Sequence, residues 1–330
     1  MILPRDEKAL REAISAFTGH EEFPVWLDEQ MRRFVRASRA ANTIRAYRAD
    51  FADFELWCEA RRLSALPARP ETVAAYLADR AEALSPATLS RRIAAISAAH
   101  RAAGYGGLSV REEPLRSVWA GIRRTKGTAP AQKAPIFVEE LRCIVEALPR
   151  SLLGLRDRAL LLLGFAGAFR RSELVGLDVD DLEFVPQGLV VRVKRSKTDQ
   201  EGEGRLVGIP YGRRAATCPV RAVQAWLEAS KITAGPVFRP IDRHENIRQK
   251  RLSDRAVALI IKRSVEACGL DPTRYSGHSL RAGLATSAAA AGVEERLIMA
   301  QTGHKSERIV RRYIREGDLF RKNVVSFLDL

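Results

Sequence analysis

Tyr275-Ser276-Gly277-His278-Ser279-Leu280-Arg281 is the stretch on which this sequence turns. His278 and Arg281 stand at i and i+3, so at a helix start they project from one face. Alone, such a pair is an ordinary surface feature, and its company changes the reading. Downstream come Gly303-His304 and, nine residues past that histidine, Tyr313. Upstream, Ala168-Phe169-Arg170-Arg171-Ser172-Glu173-Leu174 sets an arginine directly after an apolar run from Ala159 that reads as a buried helix. Between the two, a strand ends at Arg195-Ser196-Lys197-Thr198.

These residue types suit attack on a phosphodiester. The reaction builds negative charge on a five-coordinate phosphorus whose equatorial oxygens need fixed positive donors. Two arginines, Arg170 and Arg281, supply planar, always-charged forks. A phenol with an unperturbed pKa of about 10 is a poor nucleophile at neutral pH, so Tyr313 needs cations or a base beside it. His278 is placed to take that proton or to bond a phosphate oxygen. Lys197, on a hairpin loop, suits protonation of the leaving 5′-oxygen. His304 suits a non-bridging oxygen or the nucleophile. Arg171 stands beside Arg170 as a rival for its place, and Lys194 is a rival to Lys197. No P-loop and no carboxylate cluster appears, and the two histidines lack a third zinc ligand. The expectation is a reaction without metal, nucleotide or other cofactor.

In this order and at these separations, residues 135–330 closely resemble the catalytic domain of the tyrosine recombinases, the phage integrase family. The resemblance implies a site-specific recombinase that cleaves and rejoins duplex DNA through a covalent 3′-phosphotyrosyl intermediate at Tyr313. It matches Arg170 and Arg281 to the two catalytic arginines and Glu173 to the acidic residue that orients the first. Lys197 matches the hairpin lysine, His278 the histidine of the HxxR pair, and His304 the next His/Trp position. Phe169 stands where the family usually carries leucine. Ser-Gly-His-Ser-x-x-Arg and Tyr313-Ile314-Arg315 look like the Cre group, whereas His304 is what Xer-type enzymes carry. The resemblance also implies a homotetramer on a double-stranded recombination site. A type IB topoisomerase, a hairpin-forming resolvase and a non-catalytic DNA-binding regulator on the same fold are the alternatives.

The charge agrees. Over 330 residues, 55 Lys and Arg against 40 Asp and Glu give a net charge of +15, a balance that favours a polyanion. Residues 1–130 carry 21 basic and 16 acidic side chains, and residues 131–330 carry 34 and 24. Both halves therefore hold a surplus for phosphates. Cys58, Cys143, Cys218 and Cys268 lie far apart without zinc spacing and read as free thiols in a reducing compartment. No signal peptide or 20-residue apolar span is legible. The expected location is cytoplasmic, at the nucleoid, with no membrane contact.

Periodicity predicts a mainly α protein with a small antiparallel β-sheet, and two basic domains joined by a basic linker suggest a two-domain clamp around DNA. Residues 1–122 read as a helical core-DNA-binding domain, 123–135 (RRTKGTAPAQKAP) as a basic linker, and 136–330 as a mixed α+β catalytic domain. Helices are expected over 24–38, from Asn42 or Thr43, from Pro70, from Pro86 to Gly104, and over 112–124. The aromatic residues among them read as core. The helix from Pro86 is the candidate groove reader, with Arg91, Arg92 and Arg101 outside, and Lys126 and Lys133 are expected near the DNA backbone. Strands are expected at 182–185, 189–194 and 205–209. Helices follow after Pro219 and over 253–268, 279–291, 294–302 and 306–316. A last amphipathic helix, 317–330, carries Phe320, Val324, Phe327 and Leu328 on one face and fits exchange between protomers.

Overall fold

The computed structural model describes Gln30 and residues 41–128, 133–194, 204–304, 306, 307, 310, 311 and 313. The chain divides between Ala131 and Gln132 into two units. The expected helix at 24–38 and the tail 317–330 lie outside the described residues, apart from Gln30, which is helical.

In the first unit Ser85 shows why a helix begins where it does. Its hydroxyl accepts the Thr88 N–H and Pro86 takes the first helical position, where a missing N–H costs nothing. The described helices here are α1 (Ala41–Glu59), α2 (Pro70–Ala81), α3 (Pro86–Ala102) and α4 (Leu115–Lys126). Phe54, Trp57, Tyr76, Leu77, Leu89 and Ile96 are buried together, with Phe54 and Tyr76 edge to face at 5.0 Å. Phe51, Phe54, Trp57 and Tyr76 are core, as their spacing predicts.

On α3, Arg91 and Arg92 both pair with carboxylates, while the Arg91 side chain stays 48% exposed. Arg91 donates Nε and Nη2 to Asp50 at 2.6 and 3.0 Å. Arg92, its side chain only 13% exposed, bonds Asp53 and the Tyr76 hydroxyl. Asp50 and Asp53 face them from α1, a pairing that the periodicity of α3 alone does not reveal. Arg123, Arg124 and Lys126, the first cations of the expected linker, form the last turn of α4, where cations suit the helix dipole.

In the second unit the helices are α5 (Val138–Glu146), α6 (Leu152–Ala166), α7 (Arg171–Gly176), α8 (Pro219–Ser230), α9 (Asp254–Ala267), α10 (Ser279–Ala290) and α11 (Glu295–Thr302). The sheet is β1 (Leu182–Val185), β2 (Gly188–Val193) and β3 (Arg205–Pro210), antiparallel in the order β1-β2-β3. Alternation buries Leu189, Val191, Val193, Val207 and Ile209 on one face, as period-2 patterning demands. Helix α6 is buried from Ala159 through Phe165 and packs on α8 and α10. A Cβ on its Gly164 would press Leu174 and Leu280 at 3.0 Å each. That glycine lets α7 and α10, which carry the candidate arginines, close on a common support.

The expectation of four free thiols is corrected. Cys143 within α5 is joined to Cys268 at the C-cap of α9, while Cys58 and Cys218 are free and buried. A separation of 125 residues leaves no local spacing signal from which such a pair is legible. Among the described residues no helix is long and apolar enough to cross a membrane.

Candidate active site

The site is built where α6 ends. Gly167 and Ala168 turn the chain, Ala168 adopting φ +48°, a conformation few non-glycine residues accept. The carbonyl of Ala168 accepts a 2.8 Å hydrogen bond from Arg281 Nη1, so the turn that presents Arg170 is tied to Arg281. Arg170 then serves as the N-cap of α7. Its N–H donates to Glu173 Oε2 at 3.0 Å and its Nη1 to Oε1 at 2.5 Å. Glu173 thus caps the helix and fixes the guanidinium with one buried carboxylate.

Arg281 is 1% exposed, and its Nη2 has no hydrogen-bond partner among the described residues. Burial, with Arg170 close by, pulls its guanidinium down to about 10. A buried guanidinium nitrogen without an acceptor is costly, and the cost falls at the spot where an anion would relieve it.

His278 is the N-cap of α10, and its Nε2 lies 2.7 Å from the Tyr313 hydroxyl. The residue as a whole is exposed, while its contact with Tyr313 is half-buried. Burial and then the cations Arg281, Arg170 and Arg171 hold it below the usual imidazole pKa. Tyr313 is 7% exposed and packs with Ala282, Ala285, Ile298 and Val310. His304 follows Gly303, the left-handed C-cap of α11, and its ring centre lies 5.9 Å from that of Tyr313. Burial, followed by Arg281, Arg170, His278 and Arg205, drives His304 down to about 3.

Arg171 lays its stem across Gly277, where a Cβ would sit 1.8 Å from its Cδ; Arg170 is the arginine held by Glu173. Lys194 is paired with Asp181 at 2.7 Å. Lys197 lies outside the described residues.

Of the residues expected to meet DNA, Arg101 donates to Ser97 Oγ at 2.9 Å. Lys126 donates to the Glu82 carbonyl and Lys133 to that of Thr273. Periodicity and motif spacing did not single out Arg205 or Thr302. Their only sequence signals are an arginine opening a strand beyond the Lys197 loop and a threonine two residues before His304.

Comparison with known proteins places this geometry. Residues 136–318 match the phage integrase family and residues 33–104 its N-terminal SAM-like domain. An integrase/recombinase XerD homologue of Selenomonas ruminantium is 45% identical over 303 residues, covering 91% of this chain and 89% of that one. The tyrosine recombinase XerC of Myxococcus xanthus is 30% identical over 278 residues, covering 82% and 86%. The fold is similar to that of the XerH site-specific recombinase in its post-cleavage complex with a palindromic difH substrate. The TM-score there is 0.64 at 15% identity, covering 99% of this chain and 90% of that one. It is also similar to lambda integrase residues 75–356 bound to DNA, at 0.58 and 17%, covering 91% and 98%.

The chain belongs to the phage integrase family of tyrosine recombinases. Its activity is site-specific recombination, the enzymatic breaking and rejoining of DNA, and its relatives here carry Xer names.

Proposed function

We propose that Tyr313 is the nucleophile of this recombination and forms a 3′-phosphotyrosyl bond with duplex DNA at a specific site. The observation that carries the reading is the 2.7 Å contact between the Tyr313 hydroxyl and His278 Nε2, beside a buried Arg281 with a donor to spare. His278, held neutral, takes the phenolic proton as the phosphorus–oxygen bond forms. Arg170 and Arg281 hold the non-bridging oxygens, where fixed donors gain most as charge develops. Glu173 keeps Arg170 aimed, His304 borders the nucleophile, and Lys197 protonates the departing 5′-oxygen. The bond to tyrosine conserves the energy for rejoining, so no step calls for nucleotide or metal.

The wider assembly follows the same reading. Cleavage of two duplexes calls for four protomers, and the amphipathic tail 317–330 is offered from each to its neighbour. Arg101, Lys126 and Lys133 contact the phosphate backbone, and the enzyme works in the cytoplasm at the nucleoid.

The decisive experiment uses nicked suicide duplexes cut from the DNA that flanks the gene. Wild type yields a denaturation-stable protein–DNA adduct, and Tyr313→Phe binds the same duplexes without one. An adduct that survives in Tyr313→Phe overturns the assignment. Deleting 318–330 leaves binding intact and impairs assembly of two duplexes; normal synapsis by the truncated chain refutes the exchanged tail.

A further inference from the structure

Arg205 has no part in the chemistry set out above, yet it touches the elements that carry it. It opens β3, directly after the loop that holds Lys197, and pairs across the hairpin with Val193. Its Nη1 donates to the Gln301 carbonyl at 3.0 Å, one turn before His304, and its Nη2 lies 3.5 Å from Glu173 Oε2. The guanidinium carbon sits 5.9 Å from the centre of the Phe169 ring. A Cβ on Gly303 would come within 2.9 Å of Arg205 Nε and 3.1 Å of Cζ. The guanidinium is therefore packed against the turn that presents His304, and at φ +66° that turn already favours glycine.

Stability alone does not account for this placement. Nε is buried with no hydrogen-bond partner among the described residues. Burial pulls the guanidinium below its usual range and Arg170 adds repulsion; Glu173 alone offsets them. A desolvated, half-satisfied cation beside like charges is a poor way to hold a fold together, and an apolar side chain of similar size would fill the space at less cost. What the guanidinium does offer is reach in several directions from one rigid plane.

We propose that Arg205 is a positioning residue of the recombination site. One guanidinium fixes three parts against each other: the Arg170–Glu173 pair, the Gly303–His304 turn, and the base of the loop bearing Lys197. It acts through these groups and contacts neither the phosphate nor the nucleophile. The proposal rests on the Tyr313 reading above. A wild-type protein that forms no adduct sinks that reading, whereas the comparison below is made only among proteins that do.

The test is single-turnover cleavage of the nicked duplex that wild type attacks, with enzyme in saturating excess so that binding does not limit the rate. Arg205→Gln is expected to lower the rate of adduct formation about 100-fold, the scale of a misplacement near 1 Å, with the dissociation constant for the duplex unchanged. Arg205→Lys keeps the charge and the stem but not the fork, and recovers only part of the rate. Because Arg205 works partly through Glu173, adding Arg205→Gln to Glu173→Gln costs less than the product of the two single losses. Three results overturn the proposal: wild-type cleavage in Arg205→Gln, a rate that falls only as far as affinity falls, or fully independent losses in the double variant. Should Arg205→Gln fail to fold, Arg205→Lys decides alone, since cleavage at the wild-type rate without the fork is incompatible with the role.

Discussion

Thr302 Oγ1 stands 2.7 Å from His304 Nδ1 and 2.7 Å from the Ile298 carbonyl. A carbonyl only accepts, so the single hydroxyl hydrogen of Thr302 goes to Ile298 and the hydroxyl oxygen receives the hydrogen of His304 Nδ1. The tautomer is thereby assigned from the network. Nε2 of His304 carries a lone pair, not a hydrogen. In the DNA-free protein His304 is an acceptor beside the Tyr313 ring, and donation to a phosphate oxygen from Nε2 requires that it first gain a proton.

The burial of His304 among cations has a consequence for stability in acid. The folded pKa of His304 is about 3 against 6.5 when unperturbed, so between these values the unfolded chain binds the extra proton and the folded chain does not. Stability is present above pH 6.5 and declines as pH falls through the unfolded value toward the folded one. His278 shifts in the same direction. His304→Asn keeps a side-chain donor toward Thr302 but cannot titrate. Its melting temperature is expected to fall less steeply between pH 7 and pH 5 than that of wild type, measured by calorimetry without DNA. Parallel slopes in the two proteins contradict the shift.

Arg281 shows what a fork does that a point charge does not. Nη1 is committed to the Ala168 carbonyl, and Nη2 remains unbonded among the described residues. An ammonium on a flexible stem can reach one of those positions but cannot span both. Arg281→Lys is expected to slow adduct formation by roughly 10²–10³-fold, the loss that follows removal of one electrostatic transition-state donor. DNA affinity changes little, because binding draws on many phosphates. Quenched-flow cleavage alongside an equilibrium binding titration measures both, and an equal drop in rate and affinity would place Arg281 in binding alone.

The order of elements in the second unit was legible because each has a local cause. The apolar run from Ala159 reads as a buried helix, which the structure ends at Ala166, and the alternation at 189–193 reads as half of a sheet. The HxxR pair and Tyr313 were legible because their spacing is itself the signal. What stayed hidden depends on which face meets which. Asp50 and Asp53 on α1 capture Arg91 and Arg92 on α3 across some forty positions, and no window of either helix shows this. Arg205 and Thr302 are hidden for the same reason. They act on side chains brought near by the fold, and neither has a motif of its own. The Cys143–Cys268 bridge belongs with them.

That bridge changes the expected thiol count. Unfolded in denaturant without reductant, the purified oxidised protein should titrate two thiols, those of Cys58 and Cys218, and four after reduction. Closing a loop across 125 positions restricts the unfolded chain, and losing such a cross-link typically costs about 2–4 kcal/mol. Cys268→Ser should lower the denaturant midpoint accordingly under oxidising conditions and leave it unchanged under reducing ones. Four reactive thiols before reduction would show that the bond does not form in solution.

The first unit offers a contrast between two arginines of one helix. Arg92 is enclosed by Asp53 and the Tyr76 hydroxyl, and the same Asp53 accepts from that hydroxyl at 2.7 Å. Its carboxyl lies below the usual range because the Tyr76 hydrogen bond and the charges of Arg92 and Arg80 together outweigh the opposing effect of burial. Arg92→Ala strips the half-buried Asp53 carboxylate and the buried Tyr76 hydroxyl of their shared partner, at a cost of about 1–3 kcal/mol. The melting temperature of the protein should fall, while affinity for the cleaved duplex, measured well below the melt, should hold. Arg101 is the opposite case. It is exposed near the end of α3, and its bond to Ser97 leaves other donors of its five. Arg101→Ala should leave the melt in place, weaken binding to every duplex alike, and reduce the slope of log affinity against log salt by about one. If Arg92→Ala instead reproduces that salt signature without moving the melt, Arg92 faces DNA after all and the Asp53 pairing does not persist in the complex.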